Sequence, residues 1–185
     1  MARPLPAPPD ATRKRADGPI RPLPVSELQA IYGPLEVDSL PNGRVRPLHG
    51  WPAANLVEVT IPALARLGAA RITLHRKAAP VFEACFSQIE RQGLSERIRT
   101  YDGAYVARRK GWNPRRTLSA HAFGIAIDMN APWNGYGVVP APVGAEGSLR
   151  ELVAIFNAWG FAWGGHFKPA KYFDGMHFEL ARRDL

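Results

Sequence analysis

The sequence predicts an α+β domain with an antiparallel sheet. Three observations carry that prediction. Short segments alternate apolar and polar residues as strands do. Two amphipathic helical stretches lie among them. The connections are too varied for a repeating βαβ series. At 185 residues the chain is long enough for one domain with a hydrophobic core and short for two. Its 46% apolar and 22% charged residues are ordinary for a globular protein.

Residues 1–24 are rich in Pro, Arg and Ala and poor in aliphatic bulk. Such a segment buries too little apolar area to offset its ordering entropy, so it reads as an arm or linker ahead of a single domain at 25–185. Within it, Arg13-Lys14-Arg15 is either a solvated tail or a dock for an anionic surface. Leu56-Val-Glu-Val-Thr-Ile alternates as a strand and stops at Pro62, and Arg71–His75 is a second short strand. Ala79–Gln92 reads as a helix with Val81, Phe82, Cys85, Phe86 and Ile89 on one face, ended by Gly93. Glu96–Tyr101, Gly124–Met129 and Met176–Leu180 alternate again. Leu149–Trp159 is a helix with Leu152, Ile155, Phe156 and Trp159 on one face and Gly160 past its end.

Composition narrows the function classes. The 24 basic and 16 acidic residues leave a surplus of +8, which favours polyanionic partners: nucleic acid, anionic lipid or an anionic cell wall. No apolar run of about 18 residues exists to span a membrane. The single cysteine, Cys85, lies in a helical pattern without an electropositive setting and reads as a buried structural thiol. The aromatics do not interleave with basic residues on any one strand as a nucleic-acid stacking platform requires, so specific nucleic-acid binding ranks last.

The chemistry concentrates in two segments. In Ser119-Ala-His121-Ala-Phe-Gly124-Ile-Ala126-Ile-Asp128, a strand from residue 124 puts Gly124, Ala126 and Asp128 on one face and Ile125 and Ile127 on the other. Two small residues then clear space beside the carboxylate, and His121 folds back over it from a loop. In Asp174-Gly-Met-His177-Phe-Glu179-Leu, a strand puts His177 and Glu179 on one face, with Met176, Phe178 and Leu180 on the apolar side. Two histidines and one carboxylate make a three-ligand set with a fourth position open for water, as in catalytic zinc sites. Zinc lowers the pKa of such a water to about 7. Asp174, in a turn three residues ahead of His177, is placed to act as general base. Taken singly, each residue has a plainer reading: a satisfied polar histidine, a turn-capping Asp128, an ordinary Asp174-Gly175 turn.

Together, Ser119-x-His121-x-x-Gly124-x-Ala126-x-Asp128 and Asp174-x-x-His177-Phe-Glu179, about 50 residues apart, resemble the signature of the M15 peptidases. That family includes D-Ala-D-Ala carboxypeptidases, VanY- and VanX-like enzymes and phage endolysins that cut between L-Ala and D-Glu. The resemblance spans residues 44–182. It implies a hedgehog/DD-peptidase-like fold, in which a small antiparallel sheet carries the metal site and helices pack on its back. It implies a Zn2+ cofactor held by His121, Asp128 and His177, and Asp174 as the catalytic carboxylate. It also implies an upstream arginine that steadies the substrate carbonyl, for which Tyr105-x-x-Arg108 makes Arg108 first choice and Arg99 second. Glu179 is placed to hold a ligand histidine. Trp163-Gly164-Gly165-His166 is placed to shape the cleft, with Trp163 either walling the groove or packed in a turn. His166 is left out as a ligand, and His49 and His75 read as structural or surface.

The expected substrate is the stem peptide of bacterial peptidoglycan. An endolysin-type endopeptidase is favoured over a D-Ala-D-Ala carboxypeptidase, and anionic wall polymers are expected at the basic surface. The alternative is a non-catalytic zinc-binding module that recognises wall peptides, against which Asp174 argues. The start, Met1-Ala2-Arg3-Pro4-Leu5-Pro6, shows no secretory signal. The expectation is therefore a protein made in the cytoplasm that acts on the wall after release or delivery. Oligomeric state and the bond cut are left open by the sequence.

Overall fold

A computed structural model describes residues 19–185. The Arg13-Lys14-Arg15 run and the expected arm up to residue 18 lie outside the described residues. The elements are α1 (Val25–Tyr32), β1 (Val37–Ser39), β2 (Val45–Pro47), α2 (Trp51–Asn55), β3 (Leu56–Thr60), β4 (Arg71–His75), α3 (Ala79–Arg91), β5 (Tyr101–Gly103), β6 (Ala126–Met129), α4 (Ala131–Asn134), α5 (Arg150–Ala158), β7 (Phe161–Trp163) and β8 (His177–Leu180). Short 3-10 turns fill several of the connections. The architecture is mixed α+β, as the irregular alternation predicts. β1–β2 and β3–β4 are antiparallel pairs, and a third sheet has the order β5-β6-β8-β7, antiparallel throughout.

The helices back this third sheet. α3 buries Val81, Phe82, Cys85, Phe86 and Ile89, and α5 buries Leu152, Ile155 and Phe156, the stripes their periodicity requires. Phe156 stacks on Phe178 of β8 at 4.1 Å between centroids and meets Phe161 of β7 edge-on at 5.2 Å. Phe86 and Phe82 of α3 close the layer against Phe156 and Phe161. Such aromatic contacts add to the area term that drives burial. Cys85 is fully buried, and burial pushes its thiol pKa up, which fits an inert structural cysteine. Among the described residues no helix is long and apolar enough to cross a membrane.

Two elements depart from the sequence reading. Glu96–Tyr101 does not form a strand: Ser95–Arg97 is a 3-10 turn and pairing begins only at Tyr101. Side chains satisfy that backbone instead, since Arg66 donates to the Ser95 and Ile98 carbonyls and Asn130 Oδ1 accepts from Arg99 N and Thr100 N. Gly124 lies outside β6, in the left-handed region at φ 67°, where it ends the turn Ala120–Phe123.

Candidate metal centre and catalytic cleft

The register of β6 on β8 creates the centre. Asp128 lies opposite His177 and Ala126 opposite Glu179. Opposed residues of an antiparallel pair share a face, as do residues two apart, so all four side chains face the same way. On the other face, Ile127, Met129, Phe178 and Leu180 are buried in the core.

His121 arrives from the turn between Ser119 and Gly124. Ser119 Oγ caps that turn by accepting from His121 N at 3.4 Å. Gly124 lets the chain double back against β4: a Cβ there would stand 2.8 Å from His75 N and 2.9 Å from Leu56 Cδ2. The glycine therefore seats the histidine turn and does not clear space beside Asp128, a correction to its expected place on the strand face. Gly124→Ala should cost on the order of 2–4 kcal/mol in a denaturant titration, from left-handed strain plus overpacking.

The donor atoms form a near-equilateral triangle. His121 Nε2 is 3.1 Å from His177 Nδ1, which is 2.9 Å from Asp128 Oδ1; that oxygen lies 3.2 Å from His121 Nε2. Ligands about 2.0–2.1 Å from a tetrahedral zinc lie roughly 3.3–3.4 Å apart, so the triangle is close to the size that zinc needs. The outer ring nitrogens are held from behind: His121 Nδ1 donates to the Ala104 carbonyl at 2.5 Å, and His177 Nε2 donates to Glu179 Oε2 at 2.8 Å. Neutral imidazoles so anchored aim two lone pairs at a carboxylate oxygen. Three acceptors converging in a buried place call for a positive charge, and a metal ion satisfies that need.

Electrostatics agree with this reading. Burial opposes charging His177, yet Asp128 and Glu179, hydrogen-bonded to its two nitrogens, raise its pKa to about 10 in the metal-free fold. Burial also opposes charge on Asp128, but hydrogen bonds from His121 and His177 outweigh it and hold the carboxyl well below the usual range. A proton occupies the centre when no metal does.

Asp174 sits at the rim of the same face, in the turn where His177 N donates to its carbonyl. Gly164 allows the approach: its carbonyl accepts from Asp174 N at 3.1 Å, and a Cβ on it would be 2.3 Å from the Asp174 carbonyl oxygen. Trp163 braces this turn, donating from Nε1 to the Gly175 carbonyl at 2.8 Å. It is buried, so it supports the turn rather than walling the groove. Asp174 Oδ1 has no hydrogen-bond partner among the described residues. Burial raises this carboxyl to about 6; the His177, His121 and Arg108 charges pull it down, and Asp128 pushes it up.

A cleft of about 810 Å3 opens over Asp174, His177 and Glu179. Arg108 lines it, its guanidinium 5.2 Å from the Trp112 ring centroid. Burial lowers the Arg108 pKa from its ordinary value, against the opposing pull of Asp128 and Asp174. Arg99 lies elsewhere, beside Glu146 and Ser148. Met176, expected on the apolar face, lines the cleft from the turn before β8. Two parts of the lining had no sequence signal, the exposed Tyr136 and the segment Pro19–Pro22, and neither did the buried Ala104 carbonyl behind His121. His166 also lines the cleft, with Nδ1 lacking a partner among the described residues. His49 pairs with Glu36 at the surface, and His75 bonds the Tyr32 carbonyl in the core, with burial lowering its pKa to about 4.

Residues 112–180 match the family model of the M15 peptidases described as D-alanyl-D-alanine carboxypeptidase. The matched stretch is similar to that of M15 metallopeptidases and covers a little over a third of the chain. It contains His121, Asp128, Asp174 and His177, and stops short of Arg108 and of the Ala104 anchor. No curated protein and no solved structure gives a match to the chain. The buried His-Asp-His group within that stretch fits the metal that hydrolases of that family use.

Proposed function

We propose that this protein hydrolyses a peptide bond in the stem peptide of bacterial peptidoglycan, with Zn2+ held by His121, Asp128 and His177. The observation that supports it best is the triangle of converging acceptors beside an unpartnered Asp174 carboxylate in one cleft. Zinc, when bound, supplies Lewis acidity toward the scissile carbonyl and acidifies water.

The protein's own groups do the rest. Asp174 takes the proton of the attacking water at Oδ1 and passes it to the leaving amine, a role suited to a carboxyl raised toward neutrality. Arg108, with no carboxylate in ion-pair reach among the described residues, donates to the substrate carbonyl oxygen as charge develops there. Glu179 fixes the His177 ring and its tautomer.

An endolysin-type endopeptidase is favoured over the D-Ala-D-Ala carboxypeptidase that the family description suggests. The cleft of about 810 Å3 is roomy for a terminal dipeptide and suits several residues of an extended chain. Its size falls in the upper part of the roughly 300–1,000 Å3 range of ligand pockets. The surplus of +8 suits anionic wall polymers as a secondary contact, and action on the wall after release or delivery is part of the proposal. Mass spectrometry of stem-peptide digests tests the bond. Release of a fragment lacking L-Ala at its amino end supports the endopeptidase; loss of a single D-Ala supports the carboxypeptidase. Zinc-dependent peptide binding without cleavage would make the protein a recognition module.

A further inference from the structure

The cleft carries more positive charge than the proposed chemistry uses. Besides Arg108, it is lined by Arg21, Lys110, Arg116 and Lys168. These come from three separate places in the chain: the segment before α1, the loop between Arg109 and Leu118, and the turn after His166. The loop is closed by Lys110 N donating to the Thr117 carbonyl at 3.0 Å, which sets Lys110 and Arg116 on one wall. Lys168 stands on another, with its ammonium 5.3 Å from the Phe173 ring centroid.

None of these four cations is within ion-pair distance of a carboxylate among the described residues. Elsewhere among the described residues six arginines are ion-paired, Arg46 with Asp38, Arg66 with Glu96, Arg71 with Glu58, Arg97 with Glu151, Arg182 with Asp184 and Arg183 with Glu27, and others such as Arg76, Arg91 and Arg115 are not. What sets the cleft cations apart is that they converge on one concavity. The cleft's own carboxylates, Asp174 and Glu179, are committed to the proposed base and to His177. Unneutralised like charges around a concave site repel one another and focus a positive field into it. An anionic ligand relieves that repulsion.

We propose that Lys110, Arg116 and Lys168 select peptides that carry free carboxylates flanking the scissile bond, against the same peptides with those groups amidated. The proposal rests on the peptidase reading and narrows its substrate class to an acidic peptide. The three residues are specificity determinants; the proton transfer and the metal remain with the groups already described.

The test compares twin stem-type peptides that differ only in one side-chain carboxylate or carboxamide. Equilibrium binding is measured on the zinc-loaded full-length Asp174→Asn protein, so the preference is read without turnover. If the wild type cuts neither twin, the peptidase reading fails, while the binding preference is still judged by itself. The acid twin should bind about tenfold tighter at low salt, from several partly exposed charge contacts. The advantage should shrink as added salt shortens the Debye length. In a Lys110→Gln/Arg116→Gln/Lys168→Gln variant of that protein it should vanish, with affinity for the carboxamide twin unchanged. Equal binding of the twins before the triple substitution would overturn the proposal, as would a triple variant that keeps the full advantage while still holding zinc.

Discussion

Asp174→Asn should lower turnover of a stem peptide by about 10²–10⁴-fold while leaving one zinc bound. The side chain lines the cleft and is absent from the three-atom triangle, so its loss removes a proton acceptor and spares the proposed ligands. The same substitution should stabilise the metal-free fold near neutral pH. Burial raises Asp174 from 3.8 to about 6, so the folded protein disfavours the ionised form. The resulting cost is absent below about 3.8 and fully present above about 6. Asparagine carries no charge at any pH, and a rise of about 2 pKa units corresponds to roughly 2–3 kcal/mol. Denaturant melts of both metal-free proteins should therefore coincide in acid and separate toward neutrality, with the variant more stable. The paired result, slower turnover and a firmer fold, marks a group kept for function at the expense of stability. A variant that loses zinc along with activity would move Asp174 into the ligand set.

The second large effect concerns the charge at the centre. In the metal-free fold a proton sits on His177 up to about 10, held by Asp128 and Glu179 against the cost of burial. Zinc has to displace it. Uptake near neutral pH should release about one proton from this site, and affinity should fall roughly tenfold for each pH unit of acidification below about 10. Calorimetry in two buffers of different ionisation enthalpy reads the proton directly. The sign for stability runs opposite to that of Asp174. A histidine whose folded pKa lies above 6.5 stabilises the metal-free protein fully below 6.5, and that contribution is lost as pH rises through about 10. His177→Ala should remove zinc stoichiometry and hydrolysis together. It also leaves Asp128 and Glu179 buried with fewer partners, so His121→Ala serves as the companion variant that keeps both carboxylates hydrogen-bonded to His177.

The residues of the centre were legible in the sequence because both halves of it obey strand geometry. Asp128 sits on a strand with aliphatic residues facing the core, and His177 and Glu179 are two apart on another, which fixes their shared face without knowledge of partners. The helices over Ala79–Arg91 and Arg150–Ala158 were equally plain from their stripes. What the sequence concealed was settled by contacts distant along the chain. The failure of Glu96–Tyr101 as a strand depends on Arg66 and Asn130. Gly124 looked like a strand residue because its left-handed turn is imposed by the close passage of β4. The Ala104 carbonyl that orients His121 has no side-chain signature at all. The basic rim joins residues from Arg21 to Lys168 that only the folded cleft brings together.

The most direct measurement is hydrolysis of purified peptidoglycan stem peptide by metal-free protein titrated with zinc. Activity should rise in proportion to added zinc and level off at one equivalent, and it should stay absent at every zinc level in His121→Ala. Hydrolysis by the metal-free protein, or one tightly bound zinc with no cleavage of any wall peptide, would contradict the assignment of this centre as a peptidase site.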